Sequence, residues 1–418
     1  MFKNYICAMD IGASKIAATV VELRRHAPVS IFFESQPLKA LDKGAVVESI
    51  ELIRCVEKVL ESLKSKSGIN IKGVYANISG QDIIVRHSHA LVPLWDRRGK
   101  VITANDIQNV NGQALILGAN LDEEVLTYLP NEYSVDLEKQ VSNPLGLFSH
   151  RLGIDLTLIC GKTASVRSFY HVINRAGYDV KDLVFSGLAT AEIIFGKEHK
   201  EGVNVLCDVG GDITEVLIFK DGVPKHIEII SMGGEDITRA LQEDLKIPYE
   251  LAEEIRMSYG IIGNSGEALK DKEILLKEED MYKPIKQGVV IDTVTSQAHA
   301  ICVRLKESVC KQAACGEINN FFAVGRTMLQ DGFLEMLEGA MGIPVRLGRI
   351  THPQIVSLQH RNSVALSGQK YLTYLTSLGI ICWVLRQQIP QFPAAVSSSR
   401  NPVFKIFNKV HELYQEYF

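Results

Sequence analysis

The chain has 418 residues, which at about 150 residues per domain predicts two to four domains. Its 46% hydrophobic and 22% charged residues are typical of a globular protein, which excludes a disordered, collagen-like or coiled-coil chain. The chain has 45 basic and 49 acidic residues, so its net charge is slightly negative. No overall positive charge attracts nucleic acid, and we expect no nucleic-acid partner.

The cysteine pattern and the hydropathy both indicate a soluble protein. The eight cysteines are scattered without zinc-site spacing, so we expect reduced thiols of a cytosolic protein, several of them buried. The longest uncharged apolar window, 371–385, has fifteen residues, whereas a membrane-spanning helix needs about 20. Attachment to a membrane surface remains compatible with this pattern.

The first predicted elements are two strands joined by a polar turn. Apolar residues 5–9 lead into DIGASK at 10–15, and a second apolar run follows at 16–23. The same arrangement returns at 203–219, where DVGGD at 208–212 separates two apolar runs. A strand that ends in an acidic residue and a glycine turn thus appears twice, about 198 residues apart, which predicts two related halves.

The segments around the second turn predict alternating strands and helices. Before it, we expect a strand at 85–92, a helix at 105–117 capped by Thr103 or Asn105, a strand at 156–160 and a helix at 165–176. After it, the pattern predicts a strand at 226–230, glycines at 233–234 opening a helix, a strand at 321–324 and a helix at 333–341.

The end of the chain differs in composition. Residues 390–402, with three prolines and a serine triplet, predict a flexible linker. Residues 403–418 then carry large apolar side chains at spacings of three and four, which predicts an amphipathic helix. This helix would lie on a membrane surface or, alternatively, dock on its own domain. Its membrane-facing residues would be Phe404, Ile406, Phe407, Val410, Leu413, Tyr414, Tyr417 and Phe418.

A strand that delivers a carboxylate into a glycine turn is suited to nucleotide phosphates. Glycine lets backbone N–H groups approach phosphate oxygens, Ser14 adds a hydroxyl donor and Lys15 a positive charge. Asp10 and Asp208 could face each other across the two halves and hold a hydrated Mg²⁺. An ordinary Asp-Gly hairpin turn is the alternative interpretation of either turn alone. The sequence contains neither a P-loop nor a GxGxxG fingerprint.

With these turns the chain resembles the actin superfamily of ATP-binding proteins and, within it, the bacterial cell-division family FtsA over nearly its whole length. The matching segments are DIGASKIAATVVEL at 10–23, GVYANISG at 73–80, CDVGGDITEVLIFKDG at 207–222, SMGGEDITRAL at 231–241, PYELAEEIRMSYG at 248–260 and NPVFKIFNKVHELYQEYF at 401–418. The two phosphate turns alone would also fit sugar kinases or DnaK-type chaperones. The insert between 74 and 160 and the amphipathic ending point to FtsA.

The resemblance implies ATP and Mg²⁺ as cofactors, with Asp10 and Asp208 holding the metal through water. It implies a nucleotide site made of Asp10, Gly12, Ser14, Lys15, Asp208, Gly210, Gly211, Gly233, Gly234, Glu253, Arg256 and Gly325. Glu253 and Arg256 would approach ribose and adenine. No residue stands out as a catalytic base, so the catalytic residues are unknown and ATP hydrolysis is left open.

Two residues depart from the family pattern. Arg326 follows Gly325 where the adenosine turn usually continues with glycines, so its side chain either stacks on the base or blocks it. Asp212 stands where glycine or a small residue is common, and its carboxylate repels phosphate unless a metal compensates.

The implied fold is an α/β actin-like two-domain fold with a nucleotide cleft between the halves. A small subdomain would be inserted in the first half, and an amphipathic helix would follow a linker. The expected boundaries are 1–82 and 161–195 for the first half, 83–160 for the insert, 196–389 for the second half with its small subdomain around 246–320, 390–402 for the linker and 403–418 for the membrane-targeting helix.

The implied function is that of a cell-division adaptor. Such a protein binds ATP, polymerises and tethers the FtsZ ring to the cytoplasmic face of the membrane at the division site, alongside other division proteins. The FtsZ C-terminal tail would dock on a helix that resembles 300–307, where Arg304 would meet the tail's carboxylate. One alternative is an actin-like pilus-assembly adaptor. Another is a small-molecule kinase, which would need a carboxylate base and leaves the tail unexplained.

Overall fold

The computed structural model describes residues 4–25, 27–94, 99–199, 201–263, 269, 271–278, 281–359, 366–388 and 396–397. The strands are β1 (Asn4–Ile11), β2 (Lys15–Arg24), β3 (Ala27–Pro37), β4 (Leu41–Asp42), β5 (Ala45–Val46), β6 (Gly73–Ile78), β7 (Ile83–Pro93), β8 (Lys100–Val101), β9 (Glu123–Val135), β10 (Lys139–Val141), β11 (Phe148–Ser149), β12 (Arg151–Lys162), β13 (Asp179–Phe185), β14 (Val203–Val209), β15 (Thr214–Lys220), β16 (Val223–Ile230), β17 (Glu273–Glu278), β18 (Met281–Lys286), β19 (Ile318–Val324), β20 (Arg346–Leu347) and β21 (Val396–Ser397). The α-helices are α1 (Ser49–Ser67), α2 (Ala104–Gly118), α3 (Thr163–Arg175), α4 (Ser186–Ile194), α5 (Gly234–Leu245), α6 (Tyr249–Tyr259), α7 (Gln287–Cys310), α8 (Phe333–Met341), α9 (Pro353–Gln359) and α10 (Leu375–Gln388). Short 3₁₀ helices lie at Lys197–His199, Cys315–Glu317, Arg326–Leu329 and Lys370–Thr373.

Two five-stranded sheets have the same build. The first has the order β13-β6-β1-β2-β3 and the second the order β20-β19-β14-β15-β16. In each, three sequential strands form an antiparallel meander, and the first of them pairs on its other side with a parallel strand. The prediction of two related halves is therefore confirmed.

Two helices lie between the sheets. Helix α4 contacts β6 and β13 of the first sheet and β15 of the second, while α10 packs on α4, β1 and β2. Both helices are almost free of charge and are buried over most of their length, as expected of core helices. They approach closely where Gly379 meets the backbone of Ala189, since a Cβ at Gly379 would lie 2.5 Å from the Ala189 carbonyl carbon. One hydrophobic core thus extends through both halves.

The segment between β6 and β13 contains a subdomain with its own core. Its sheet has the order β10-β9-β12-β7, and α2 packs against β7 and β12. Helix α2 occupies the predicted helical stretch, and Thr103 rather than Asn105 is its N-cap. The Thr103 Oγ1 and the Asp106 carboxylate exchange hydrogen bonds with each other's backbone N–H, which forms a capping box.

The predicted tail falls largely outside the described residues. The amphipathic helix at 403–418 lies wholly outside them, as does the linker except for β21. Strand β21 pairs antiparallel with β9, where Val396 faces Tyr128 and Ser397 faces Thr127. Among the described helices, none is long and apolar enough to cross a membrane.

Candidate functional site

The first glycine turn is a four-residue hairpin between β1 and β2. Ile11 pairs with Ile16, and the Gly12 N–H donates to the Lys15 carbonyl over 2.9 Å. Asp10, at the end of β1, is 8% exposed and lies 2.8 Å from the Lys15 ammonium. Asn77 of β6 donates to the other Asp10 carboxylate oxygen over 3.1 Å. The Asp10 side chain is therefore fixed from two sides at the mouth of the turn.

The second glycine turn repeats this geometry in the other half. Val209 pairs with Thr214, and the Gly210 N–H donates to the Ile213 carbonyl over 2.9 Å. The two hairpins have the same length, so Asp208 occupies in β14 the position that Asp10 occupies in β1.

The two turns face each other across one cavity. A Cβ built on Gly211 would lie 3.5 Å from the Ala13 Cβ and 3.7 Å from the Ser14 Oγ. Both turns line one cavity between the two halves. The cavity-lining residues that the sequence predicted are Asp10, Gly12, Ser14, Lys15, Asp208, Gly210, Gly211 and Gly325.

The third glycine turn, Gly233-Gly234, packs on the second. The Gly234 N–H donates to the Gly210 carbonyl over 3.0 Å, and the Glu235 N–H donates to the Gly211 carbonyl over 2.6 Å. A Cβ at Gly233 would lie 2.7 Å from the Gly211 carbonyl carbon, so this approach requires glycine. The N-terminus of α5, which favours negative charge, is thereby placed beside the cleft.

Three carboxylates converge at the base of this cavity. Glu215 of β15 is paired with Asp208 in the sheet, and the Ser79 hydroxyl donates to its carboxylate. Burial, followed by the neighbouring Asp10, raises the pKa of Asp208 to about 6. Burial and the charge of Asp208 raise the pKa of Glu215 to about 8. Burial and mutual repulsion therefore favour the protonated forms of Asp208 and Glu215, and a cation bound nearby would favour their ionised forms instead.

The donor set fits a hydrated Mg²⁺. Among the described residues there is no group of three or more His, Cys, Asp and Glu arranged to hold a metal. Mg²⁺ retains several waters and is usually bound through one or two carboxylates and substrate phosphates. Asp10 and Asp208 would therefore hold it through water, and it would neutralise phosphate charge.

A second cavity continues from the first toward α6. Its empty volume is about 890 Å³, and Ser14, Gly211 and Arg326 line both cavities. Glu253 and Arg256 line the second one, as does Gly234.

Arg256 of α6 is 9% exposed, and its Nε has no hydrogen-bond partner in the described structure. Burial lowers the pKa of Arg256, while the nearby Glu253 opposes that shift. A buried donor without a partner favours a polar ligand at this end of the cleft.

The turn that follows β19 is tightly packed at Gly325. This residue has φ of 98°, and a Cβ there would lie 2.8 Å from the Asp208 Oδ1, so only glycine fits. The next residue, Arg326, stands between the two cavities because it lines both of them.

The other departure, Asp212, is buried at 4% exposure, and burial raises its pKa. Lys43 opposes this shift, and its ammonium donates to the Asp212 carbonyl over 2.9 Å. Lys43 lies in the hairpin between β4 and β5, in the other half of the molecule. A lysine that the sequence analysis missed therefore sits beside the unusual carboxylate.

Arg304 lies apart from both cavities, on the outer face of α7. It is exposed and forms an ion pair with Glu307, whose Oε2 lies 2.7 Å from the Arg304 Nη1. The opposite face of α7, which includes Ile301 and Leu305, is buried in the core of the second half.

Comparison with known proteins identifies the family. The sequence model of the SHS2 domain inserted in FtsA matches residues 80–160, and that of cell division protein FtsA matches residues 205–371. The chain belongs to the FtsA family of cell-division proteins. The FtsA of Pseudomonas aeruginosa is 24% identical over 400 residues, covering 94% of this chain and 92% of that protein. The FtsA of Buchnera aphidicola is 24% identical over 357 residues, covering 83% of this chain and 84% of that protein.

Solved structures confirm the actin-like fold of this FtsA-family chain. A PilM-PilN type IV pilus biogenesis complex matches with a TM-score of 0.61 at 14% identity, covering 90% of this chain and 98% of that one. MreB 5 of Spiroplasma citri bound to AMPPNP matches with a TM-score of 0.52 at 9% identity, covering 92% and 99%. A MamK double helical filament matches with a TM-score of 0.52 at 10% identity, with the same coverage of 92% and 99%.

Proposed function

We propose that this FtsA-family chain binds ATP with Mg²⁺ between its halves, assembles into filaments and ties FtsZ to the membrane. The observation that carries the nucleotide assignment is the pair of equivalent glycine hairpins that face each other across one cavity. The match to an AMPPNP-bound MreB supports nucleotide binding, and the match to the MamK filament supports self-association.

Lys15 is the cation placed to meet the phosphates. Its ammonium pairs with Asp10 and also donates to the Thr373 carbonyl, so it is held at the cavity wall. A charged hydrogen bond contributes about 1.5–3 kcal/mol, so Lys15→Ala should weaken Mg-ATP binding roughly 10- to 100-fold. Asp208→Ala should weaken binding of Mg-ATP more than that of ATP in EDTA.

Equilibrium titration with a fluorescent ATP analogue measures both effects. Lys162→Ala is the matched control, because it also removes a lysine–aspartate pair, Lys162–Asp82 at 2.7 Å, but lines neither cavity. Parent-like affinity of both cleft variants for Mg-ATP would show that the site assignment is wrong.

We further propose that the FtsZ C-terminal tail docks on the outer face of α7. The exposed Arg304 guanidinium can bind a carboxylate through two parallel hydrogen bonds, provided that it leaves Glu307. The helix resembles the family segment that receives this tail, and Arg304 matches its basic position.

The membrane contact would be made by residues 403–418. A sixteen-residue helix is roughly 24 Å long, too short to span a bilayer but suited to lie in its surface. Lys405 and Lys409 are offset by Glu412 and Glu416, so binding should depend little on anionic lipid. Filaments would bind more tightly than monomers, because linked anchors raise the effective concentration. The location would be the cytoplasmic face of the membrane at the division site.

Co-flotation with liposomes tests partner and membrane together. The parent protein should float and carry a labelled FtsZ tail peptide with it, whereas Arg304→Glu should float alone. A version ending at Pro402, or Phe407→Glu, should stay at the bottom with the peptide. Lys225→Glu makes the same charge change on β16 and should behave as the parent does.

Two outcomes would contradict the adaptor proposal. Equal flotation of the parent, the truncated version and Phe407→Glu would exclude residues 403–418 as the anchor. Full peptide recruitment by Arg304→Glu would exclude this surface of α7. The likeness to PilM rests on fold alone at 14% identity, whereas the insert itself matches the model of the SHS2 domain inserted in FtsA over 80–160.

A further inference from the structure

The eight cysteines fall into two groups that differ in solvent access, and all eight lie within the described residues. Six are buried, and burial raises the pKa of each of their thiols. A thiol that lies buried in the core is chemically inert, because reagents do not reach it. The buried cysteines are Cys7, Cys55, Cys160, Cys207, Cys302 and Cys382.

The remaining two cysteines reach solvent and touch each other. Cys310 is exposed at the last position of α7, and the partly exposed Cys315 begins the next 3₁₀ helix. The intervening turn is fixed, since the Gln312 and Ala313 N–H groups both donate to the Val309 carbonyl over 3.0 Å. This turn brings the two Sγ atoms to 3.4 Å, so closure to a disulfide of about 2.05 Å needs only a small side-chain movement.

One positive charge, that of Lys306, acts in favour of a thiolate at Cys310. Burial and the contact with Cys315 raise the pKa of Cys310, and the Lys306 ammonium opposes them from one turn earlier in α7. Because the pKa of Cys310 is raised overall, only a small fraction of this thiol is ionised at neutral pH, so its oxidation should become faster as pH rises. A metal site is disfavoured, because the described residues offer no third His, Cys, Asp or Glu ligand here.

We propose that Cys310 and Cys315 form a reversible dithiol site that a peroxide oxidises to an intramolecular disulfide. One thiolate attacks a peroxide oxygen, so that an S–O bond forms, the O–O bond breaks and the leaving hydroxide takes up a proton as water. The second sulfur attacks the resulting sulfenic acid, an S–S bond forms, and the hydroxyl leaves as a second water. Two electrons pass from the two thiols to one peroxide, and a small dithiol restores the pair by exchange.

Intact-mass measurement on the full-length reduced protein tests the proposal. Hydrogen peroxide should lower the mass of the protein by that of two hydrogen atoms. It should also abolish labelling of the two thiols that react with a maleimide under native conditions. Dithiothreitol should restore both the mass and the labelling. Peptide mapping should place the new bond between Cys310 and Cys315. Cys310→Ser and Cys315→Ser should each keep one reactive thiol and lose the two-hydrogen change. Cys55→Ser is the matched control and should behave as the parent does.

A second measurement uses phenylarsine oxide, which bridges two adjacent thiols. The folded parent should bind one equivalent, and either single serine variant should bind at least tenfold more weakly. The proposal is wrong if peroxide only adds oxygen to one sulfur, or if the crosslink involves a buried cysteine. It is equally wrong if arsenical binding survives in both serine variants.

Discussion

Glu215 is not among the site residues that the sequence predicts, but it lines the cavity between the two glycine turns. It lies opposite Asp208 in the antiparallel pair β14–β15, so the sheet register puts the two side chains on one face, beside the second glycine turn. The segment CDVGGDITEV contains it, but its place at the cleft depends on Ser79 and Asp10, which come from the other half. Because these partners are distant in the sequence, the local pattern around Glu215 does not predict its place at the cleft.

The first prediction concerns the pH dependence of stability. The pKa of Glu215 is raised from 4.5 to about 8 in the folded protein, by burial and by the charges of Asp208 and Asp10. Between these two values the folded protein binds more protons than the unfolded chain, so the free energy of unfolding falls as pH rises. Without nucleotide and divalent metal, Glu215→Gln should therefore gain stability over the parent from pH 5 to pH 8, by at most about 1.4 kcal/mol per pH unit.

Urea unfolding of the parent and of Glu215→Gln at several pH values measures this difference. Glu61→Gln, which removes an exposed carboxyl from α1, is the matched control. A difference in stability that stays constant from pH 5 to pH 8 would mean that Glu215 is not held neutral by its surroundings.

At the scale of elements, the segment from Lys39 to Lys43 links the two halves beside the cleft. Lys43 donates to the Asp212 carbonyl over 2.9 Å and to the Ser231 carbonyl over 3.0 Å. Its own carbonyl accepts from the Gln81 N–H over 3.1 Å, next to the start of the insert. The β4–β5 hairpin therefore contacts the second glycine turn, the residues just before the third glycine turn and the entry to the insert.

The second prediction is that Lys43 and Lys39 differ in their contribution to stability and to nucleotide release. Lys43→Ala should lower the free energy of unfolding by about 1.5–3 kcal/mol, because it removes charged hydrogen bonds at a poorly exposed position. It should also speed release of bound nucleotide, since it frees the halves to separate. Urea unfolding and stopped-flow release of a fluorescent ATP analogue measure the two effects.

Lys39→Ala is the matched control, because Lys39 also crosses between the halves, 3.2 Å from Glu250, but both side chains are exposed. Exposed ion pairs contribute little, so this variant should resemble the parent. Equal effects of the two substitutions, or none from Lys43→Ala, would contradict a linking role for the hairpin.

The sequence predicts the bounds of some elements but not the contacts between distant ones. Helix α8 and strand β1 follow from local signals, since apolar spacing and a terminal glycine or aspartate mark their ends. The position of Lys43 does not, because it rests on contacts to residues 169 and 188 positions away. The proximity of Cys310 and Cys315 also required the structure, since their spacing matches none of the short cysteine motifs.

At the scale of the whole molecule, the repeat explains why a cleft exists. Each half ends a central strand in an aspartate and a four-residue hairpin, and the shared helices α4 and α10 hold the two sheets against each other. The duplicated turn at 10–15 and 208–213 predicts this arrangement from the sequence. The residue types in the turns indicated nucleotide phosphates, whereas the family resemblance implied the inserted subdomain and ATP as the nucleotide.

Hydrogen exchange with and without Mg-ATP tests most directly whether one nucleotide is held by both halves. We expect peptides covering 10–16, 208–214 and 231–237 to be protected together when Mg-ATP is added. Peptides within α2 of the insert should serve as the internal control and exchange at unchanged rates. If both halves hold one nucleotide, all three turns should be protected; binding of Mg-ATP with protection confined to one half, or to none of the three turns, would show that they do not.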